Sequence, residues 1–395
     1  MNPFNLAVKI KNYKPAIKEY TYVIILAVFC LTVLGITTGR LTPDTTGFWG
    51  KVEMHPHYIQ NAITPLSDHF APFAYRILVP TLVHYSGVDI YAAFFAQTMI
   101  FLFLSAIILY AILRQLKFNI LYSASGMLFF MSIYFVTRFN IWDFYLCDAA
   151  AYFFILLTIL LILRESNDVL IILTLCIGVL VKETVIFALP LYYFLGAKKI
   201  IDRDRALRFI IITIPVIYTF LVPRIYIETH SKQMLIDLIG PNLEVHYMRL
   251  KTAFWDTYMI DSFGMFLVIL PFFAVSKNKD YFLRTLIYFS FILSQLILGS
   301  DSGRMLVYLF PVLVPISVCG LESLVTYFRA DGRWAFGFSL ATFAVFTVFI
   351  NGNFKELIEV SAYFSVFIAF LVALYLNAEK KGRNQYKFKI SRLLN

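Results

Sequence analysis

VLIILTLCIGVLVKETVIFALPLYYFLG, residues 169–196, decides what kind of chain this is. Val169–Val181 and Thr184–Gly196 are apolar runs, and Lys182-Glu183 stands between them. A helix needs roughly 20 apolar residues to cross a bilayer, and each run falls well short. The cost of charge at membrane depth leaves two arrangements. Either the runs form a thin, broken pair that reaches an outer cavity, or Lys182-Glu183 is buried in protein. Both place the segment in a polytopic membrane protein with a polar feature at the break.

The rest of the chain agrees. Its 395 residues are 60% hydrophobic with mean hydropathy +0.76. Charged residues make up 15%, against roughly 25% in soluble domains. Apolar runs fall near 20–37, 92–113, 119–137, 148–163, 168–181, 184–197, 208–224, 260–275, 283–299, 305–323, 335–351 and 360–377. They predict an all-α transmembrane domain over residues 1–395 with about twelve spans, in a range of roughly 10 to 13. The residues after Thr21–Ile36 offer no small-residue cleavage site, so this first run reads as an anchor, not a signal peptide. Cys30, Cys147, Cys176 and Cys319 lie in or beside apolar runs without metal-like spacing, and read as small core residues.

A net charge of +10 raises nucleic acid as a partner, but its distribution argues against that. With the N-terminus in the cytoplasm, alternating sides gathers most Lys and Arg on the inner face, the positive-inside pattern. Both termini are then cytoplasmic. The clusters at Lys9/Lys11/Lys14/Lys18, Lys198/Lys199/Arg203/Arg205/Arg208 and the basic tail over 378–395 mark topology and touch anionic lipid headgroups.

On the outer face the first loop, 38–76, is far longer than a turn requires. It holds Asp44, His55, His57, Asp68, His69 and Arg76. A second outer segment, 225–259, contains Ile225–Ile239 and Leu243–Trp255, which read as helices lying on the membrane. Three further charged motifs fall on this side: Asp143 with Asp148, Lys182-Glu183-Thr184, and Asp301-Ser302-Gly303-Arg304. Charges converging from different spans imply a polar cavity. Arg76, Lys182 and Arg304 have the chemistry to hold a phosphate or pyrophosphate, arginine as a fork and lysine as a point charge. The carboxylates include candidates for a general base.

Each member also has a structural reading. Arg76 and Arg304 read equally as snorkelling anchors, Lys182-Glu183 as an ion pair, Asp148 as a helix cap, and Asp301 with Arg304 as a local pair. His55-Pro56-His57 with an acid is a weak metal signal, so no metal is assigned and no cofactor is called for. A divalent ion stays open.

The order of features resembles the bacterial membrane glycosyltransferases of the GT-C superfamily. The residues carrying the resemblance are the basic N-terminus, one span, a long outer loop with an acid, and Pro72-Phe73-Ala74-Tyr75-Arg76-Ile77-Leu78-Val79-Pro80. The Lys182-Glu183-Thr184 break and Asp301–Arg304 before an apolar span with Pro311 and Pro315 complete it. The resemblance implies a GT-C-like fold in a bacterial inner membrane, with an active site on the periplasmic face. It implies a polyprenyl-phosphate-sugar donor and a glycan or glycolipid acceptor. By the same resemblance Asp44 is the base that deprotonates the acceptor, with Asp68 competing. Arg76, Lys182 and Arg304 hold the donor phosphate, and His69, Asp148, Glu183 and Asp301 support them. The chain departs from the commonest pattern in lacking an Asp-x-Asp or Glu-x-Asp pair near Asp44. The competing readings are a polymerase or ligase of lipid-linked oligosaccharides and a lipid-linked-sugar transporter or flippase. A transporter would show inverted repeats and mid-span charges.

Overall fold

The computed structural model describes residues 17–40, 55–67, 71–196, 202–229, 235–252, 261–274, 279–297, 301–348 and 355–393. It is all-helical, at 85% helix, with no strand among the described residues. The helices are α1 (Ile17–Thr37), α2 (His55–Ile63), α3 (Leu78–Tyr85), α4 (Ile90–Gln115), α5 (Ile120–Met131) and α6 (Arg138–Trp142). Then come α7 (Asp148–Leu163), α8 (Asp168–Val181), α9 (Leu189–Gly196), α10 (Arg203–Tyr226), α11 (Leu235–Thr252) and α12 (Asp261–Ile269). The last are α13 (Lys279–Ser294), α14 (Ser302–Leu306), α15 (Phe310–Tyr327), α16 (Gly332–Val348) and α17 (Lys355–Leu393).

Among the described residues, five segments are long and apolar enough to cross a membrane: Ile17–Thr37, Ile90–Gln115, Arg203–Tyr226, Gly303–Tyr327 and Ser361–Lys380. Shorter apolar helices fill the space between them. On α10, Ile210, Ile211, Ile214 and Tyr218 are exposed, as residues facing lipid would be. By contrast, α7 is buried along nearly its whole length. A helix that is apolar all round belongs at the centre of a bundle, so its first residue, Asp148, enters the interior.

The two ends of the bundle are built differently. At one end, α4 leads to α5, α7 to α8, and α15 to α16 through short turns with the same geometry. Lys117, Glu165 and Arg329 each adopt positive φ, at 68°, 51° and 52°. The following N–H groups of Phe118, Ser166 and Ala330 reach back to the carbonyls of Leu113, Leu161 and Val325 at 3.1, 3.0 and 2.9 Å. This is the Schellman closure, which satisfies the last carbonyls of a helix. The next helices start on side-chain caps: Asn119 accepts from Tyr122 N–H and Asn167 from Val169 N–H. This turn end also holds Glu19, at the start of α1.

The opposite end carries longer connections and the charged residues. Several elements there differ from the sequence reading. The run expected over 119–137 stops being helical at Met131. The hydroxyl of Thr137 donates to the carbonyls of Met131 and Ile133 at 3.0 and 3.1 Å, which satisfies backbone freed by the turn and lets the chain redirect within the bundle. In place of two surface helices over 225–259, α10 runs on to Tyr226 and α11 spans Leu235–Thr252 with Pro241 inside it. The missing N–H of that proline removes one helix bond without ending the helix. The basic tail over 378–395 continues α17 as far as Leu393.

Candidate functional site: a buried ion network

The segment 169–196 forms a helical hairpin. α8 rises from the turn end and breaks at Lys182, whose backbone is extended (φ −158°, ψ 138°). The chain then returns through a 3-10 turn, Glu183–Ala188, and α9. Its reversal is fixed by Tyr192, whose hydroxyl donates to Asp168 at the base of α8 at 2.6 Å. Gly178 permits the tight tip, because a Cβ there would stand 2.6 Å from Val185 and 2.9 Å from Phe154. The 14 residues of α8 rise about 21 Å, short of a hydrocarbon core of about 30 Å. Lys182 at the break is buried in protein, while the Glu183 side chain stays 27% exposed.

Asp148 is the hub of the network. It is 1% exposed, and both its oxygens are filled. Oδ1 accepts from Lys182 Nζ and from the Tyr308 hydroxyl at 2.5 Å. Oδ2 accepts from Arg304 Nε and Nη2 at 3.1 and 2.8 Å. Arg304 reaches this depth because Asp301 caps α14, accepting from the Arg304 N–H at 3.3 Å. Gly303 lets that turn press against Phe135, whose ring would be 2.4 Å from an added Cβ.

Arg76 forms the second part. Its Nε donates to Glu183 Oε2 at 2.9 Å, its Nη2 pairs with Glu183 Oε1, and its Nη1 donates to the Tyr58 hydroxyl at 2.7 Å. Burial works against the guanidinium charge, but Glu183 and Tyr58 outweigh it and raise the Arg76 pKa further. Burial also pushes the Tyr58 hydroxyl far up, so it stays a neutral acceptor for Arg76. Tyr58 is fully buried and packs edge-on against Phe73, which ties α2 to the turn that presents Arg76.

The sequence reading brought Arg76, Lys182 and Arg304 together as phosphate-holding cations. The structure does bring them into one network with Asp148, Glu183 and Asp301, with each cation on a carboxylate. Asp44, Asp68 and His69 lie outside the described residues. Tyr308 and Arg224 had been given no role, and Asp143 had been placed beside Asp148 among the candidate acids. Tyr308 follows Arg304 by one helical turn and was findable as its same-face neighbour. Arg224 ends α10. Its guanidinium lies 4.8 Å from the Tyr75 ring and 3.6 Å from the Phe220 ring, and donates to the Phe220 carbonyl at 2.6 Å. It is within electrostatic reach of Glu183 and Arg76 but makes no ion pair among the described residues. Asp143, just before α7, is 8% exposed. Its Oδ1 has no hydrogen bond, although Arg304 and Asp148 are close enough to influence it.

Among the described residues no three His, Cys, Asp or Glu side chains gather as a metal site. A groove of about 600 Å³ between α16 and α17, lined mainly by Trp334, Phe338 and Phe370, is apolar and lies toward the turn end, away from these charges. A scan against protein-family models, a search of curated proteins and a search of solved structures each found no match. What the site can do must therefore be read from its own chemistry. Fixed cations, a cation that among the described residues pairs with no carboxylate, and an under-bonded acid are the chemistry for holding an anionic group and for accepting a proton.

Proposed function

We propose that this protein is an inverting glycosyltransferase of GT-C type. It moves a sugar from a polyprenyl-phosphate donor to a glycan or glycolipid acceptor at the periplasmic face of a bacterial inner membrane. The observation that carries the proposal is the convergence of Arg76, Lys182, Arg304 and Arg224, from four separate parts of the chain, on one end of an apolar bundle. The alternation of helices between two ends supports about twelve spans with both termini on the cytoplasmic side.

In this reading the donor's lipid tail stays in the bilayer while its phosphate meets the open fork of Arg224. The paired cations behind it fix the side chains that surround the phosphate. The acceptor hydroxyl attacks the anomeric carbon as the phosphate leaves. That phosphate keeps its negative charge, so positioned cations replace an acid catalyst. A single displacement inverts the anomeric centre. Tyr75, only partly buried and beside Arg224, offers a ring to a sugar.

A lipid-linked-sugar transporter is the second reading. It is favoured by one feature, the paired half-length helices meeting at Lys182, which resemble broken helices at a transport site. Purified protein in lipid vesicles, given labelled polyprenyl-phosphate sugars and soluble or lipid-linked acceptors, separates the two. New glycosidic product supports the transferase. Movement of intact donor across the bilayer without product would replace it with the transporter.

A further inference from the structure

Asp143 and Asp148 flank the same turn into α7, yet their surroundings are opposite. Asp148 accepts from Lys182, Arg304 and Tyr308 and has no lone pair facing a substrate. Asp143 is buried but leaves Oδ1 without a donor. Leaving a carboxylate oxygen buried and unbonded costs a few kcal/mol. Among the described residues Asp143 caps no helix start and joins no ion pair that would explain it.

The groups acting on Asp143 can be named. The Tyr145 backbone N–H donates to it, Arg304 from α14 draws its pKa down, and Asp148 from α7 pushes it up. Burial dominates and pushes the Asp143 carboxyl up to about 6. Such a group is mostly ionised at neutral pH yet basic enough to take a proton, the range in which general bases work. Asp148, saturated with donors, cannot serve this way.

We infer that Asp143, and not a first-loop acid, is the general base of the transfer: its free Oδ1 takes the acceptor hydroxyl proton. This inference rests on the glycosyltransferase reading above. As the hydroxyl oxygen bonds to the anomeric carbon, the bond from that carbon to the phosphate oxygen breaks. Its electron pair goes to the phosphate, whose charge the nearby cations balance. The proton stays on Asp143 until product leaves and then passes to solvent.

The test compares wild type with Asp143→Asn, Asp44→Asn and Asp68→Asn, all purified in lipid. The probes are a panel of short-chain polyprenyl-phosphate hexoses and pentoses, with a hydroxyl acceptor or with azide. Azide is a nucleophile that has no proton to lose. Asp143→Asn is expected to lose at least about 100-fold in kcat with the hydroxyl acceptor, with donor KM little changed, while still forming glycosyl azide. The wild-type rate should fall as pH drops through about 6. The inference is overturned if Asp143→Asn keeps hydroxyl transfer, if it loses the azide reaction in parallel, or if Asp44→Asn or Asp68→Asn shows the azide-rescued loss instead. The underlying reading fails in a different way: wild type itself then transfers from no donor in the panel, and the base assignment falls with it.

Discussion

Two buried carboxylates, at opposite ends of the bundle, are held by the same residue types to different effect. At the turn end Glu19 accepts from the Tyr110 hydroxyl and from Arg114 Nε, both at 2.6 Å, and Arg114 also donates to the Phe118 carbonyl. The pair ties α1 to α4 where the chain leaves a tight turn. At the network end Asp148 faces two cations and a tyrosine. A second pair stands beside it, with Arg224 unpaired and Asp143 under-bonded. A balanced buried pair needs no ligand to complete it. A network holding a cation that pairs with no carboxylate among the described residues, and an open carboxylate oxygen, is costly to keep unless something binds there.

The largest effect should come from Asp148→Asn. Removing that charge leaves Lys182 and Arg304 facing each other in the interior, a loss of about 3–5 kcal/mol. In thermal unfolding of the purified protein it should be the most destabilised single variant of the network. Glu19→Gln should cost less, about 1.5 kcal/mol. Arg114 keeps its bond to the Phe118 carbonyl, and its side chain, 12% exposed, reaches the edge of the bundle. Equal losses in the two variants would erase the distinction between the ends.

Asp143 gives a pH signature of about 3 kcal/mol. Its carboxyl rises from 3.8 unfolded to about 6 folded, so between these values the folded protein binds more protons than the unfolded chain. Stability from this group is therefore present at low pH and declines as pH rises through that window. Asp143→Asn should flatten this part of the stability–pH curve. An unchanged curve would mean that Asp143 is solvated and paired like an ordinary surface acid.

How much of this could be read in advance depends on the range of each signal. Hydropathy and run length are local, and they identified a helical membrane protein. The Lys182-Glu183 break is local too, since 13 apolar residues on each side cannot hide a charge in lipid. The span count was harder, because α5, α7, α8 and α16 are too short to be assigned by length. The partners of Asp148 were not legible. Arg304 lies far along the chain, and no periodic pattern links residues brought together only by packing. Arg224 was overlooked for another reason: a cation ending an apolar run looks like a snorkelling anchor, and only its neighbours distinguish the two.

That distinction gives the smallest and most specific prediction. An anchor faces headgroups and water, whereas Arg224 lies against Tyr75 and Phe220, close to the Arg76–Glu183 pair. Because no carboxylate depends on it, Arg224→Gln should leave the melting temperature within about a degree of wild type, as expected for a change within ±0.5 kcal/mol. Loss of a charge-assisted phosphate contact is instead expected to raise donor KM about tenfold, equivalent to about 1.4 kcal/mol. The loss should be steeper at low ionic strength, where the contact is least screened. Arg76→Gln would do the reverse, destabilising the fold through stranded Glu183 before any change in donor affinity could be measured. If Arg224→Gln destabilises as much as Arg76→Gln and leaves donor KM untouched, Arg224 is one more structural residue, and the network end has no free fork for a ligand to meet.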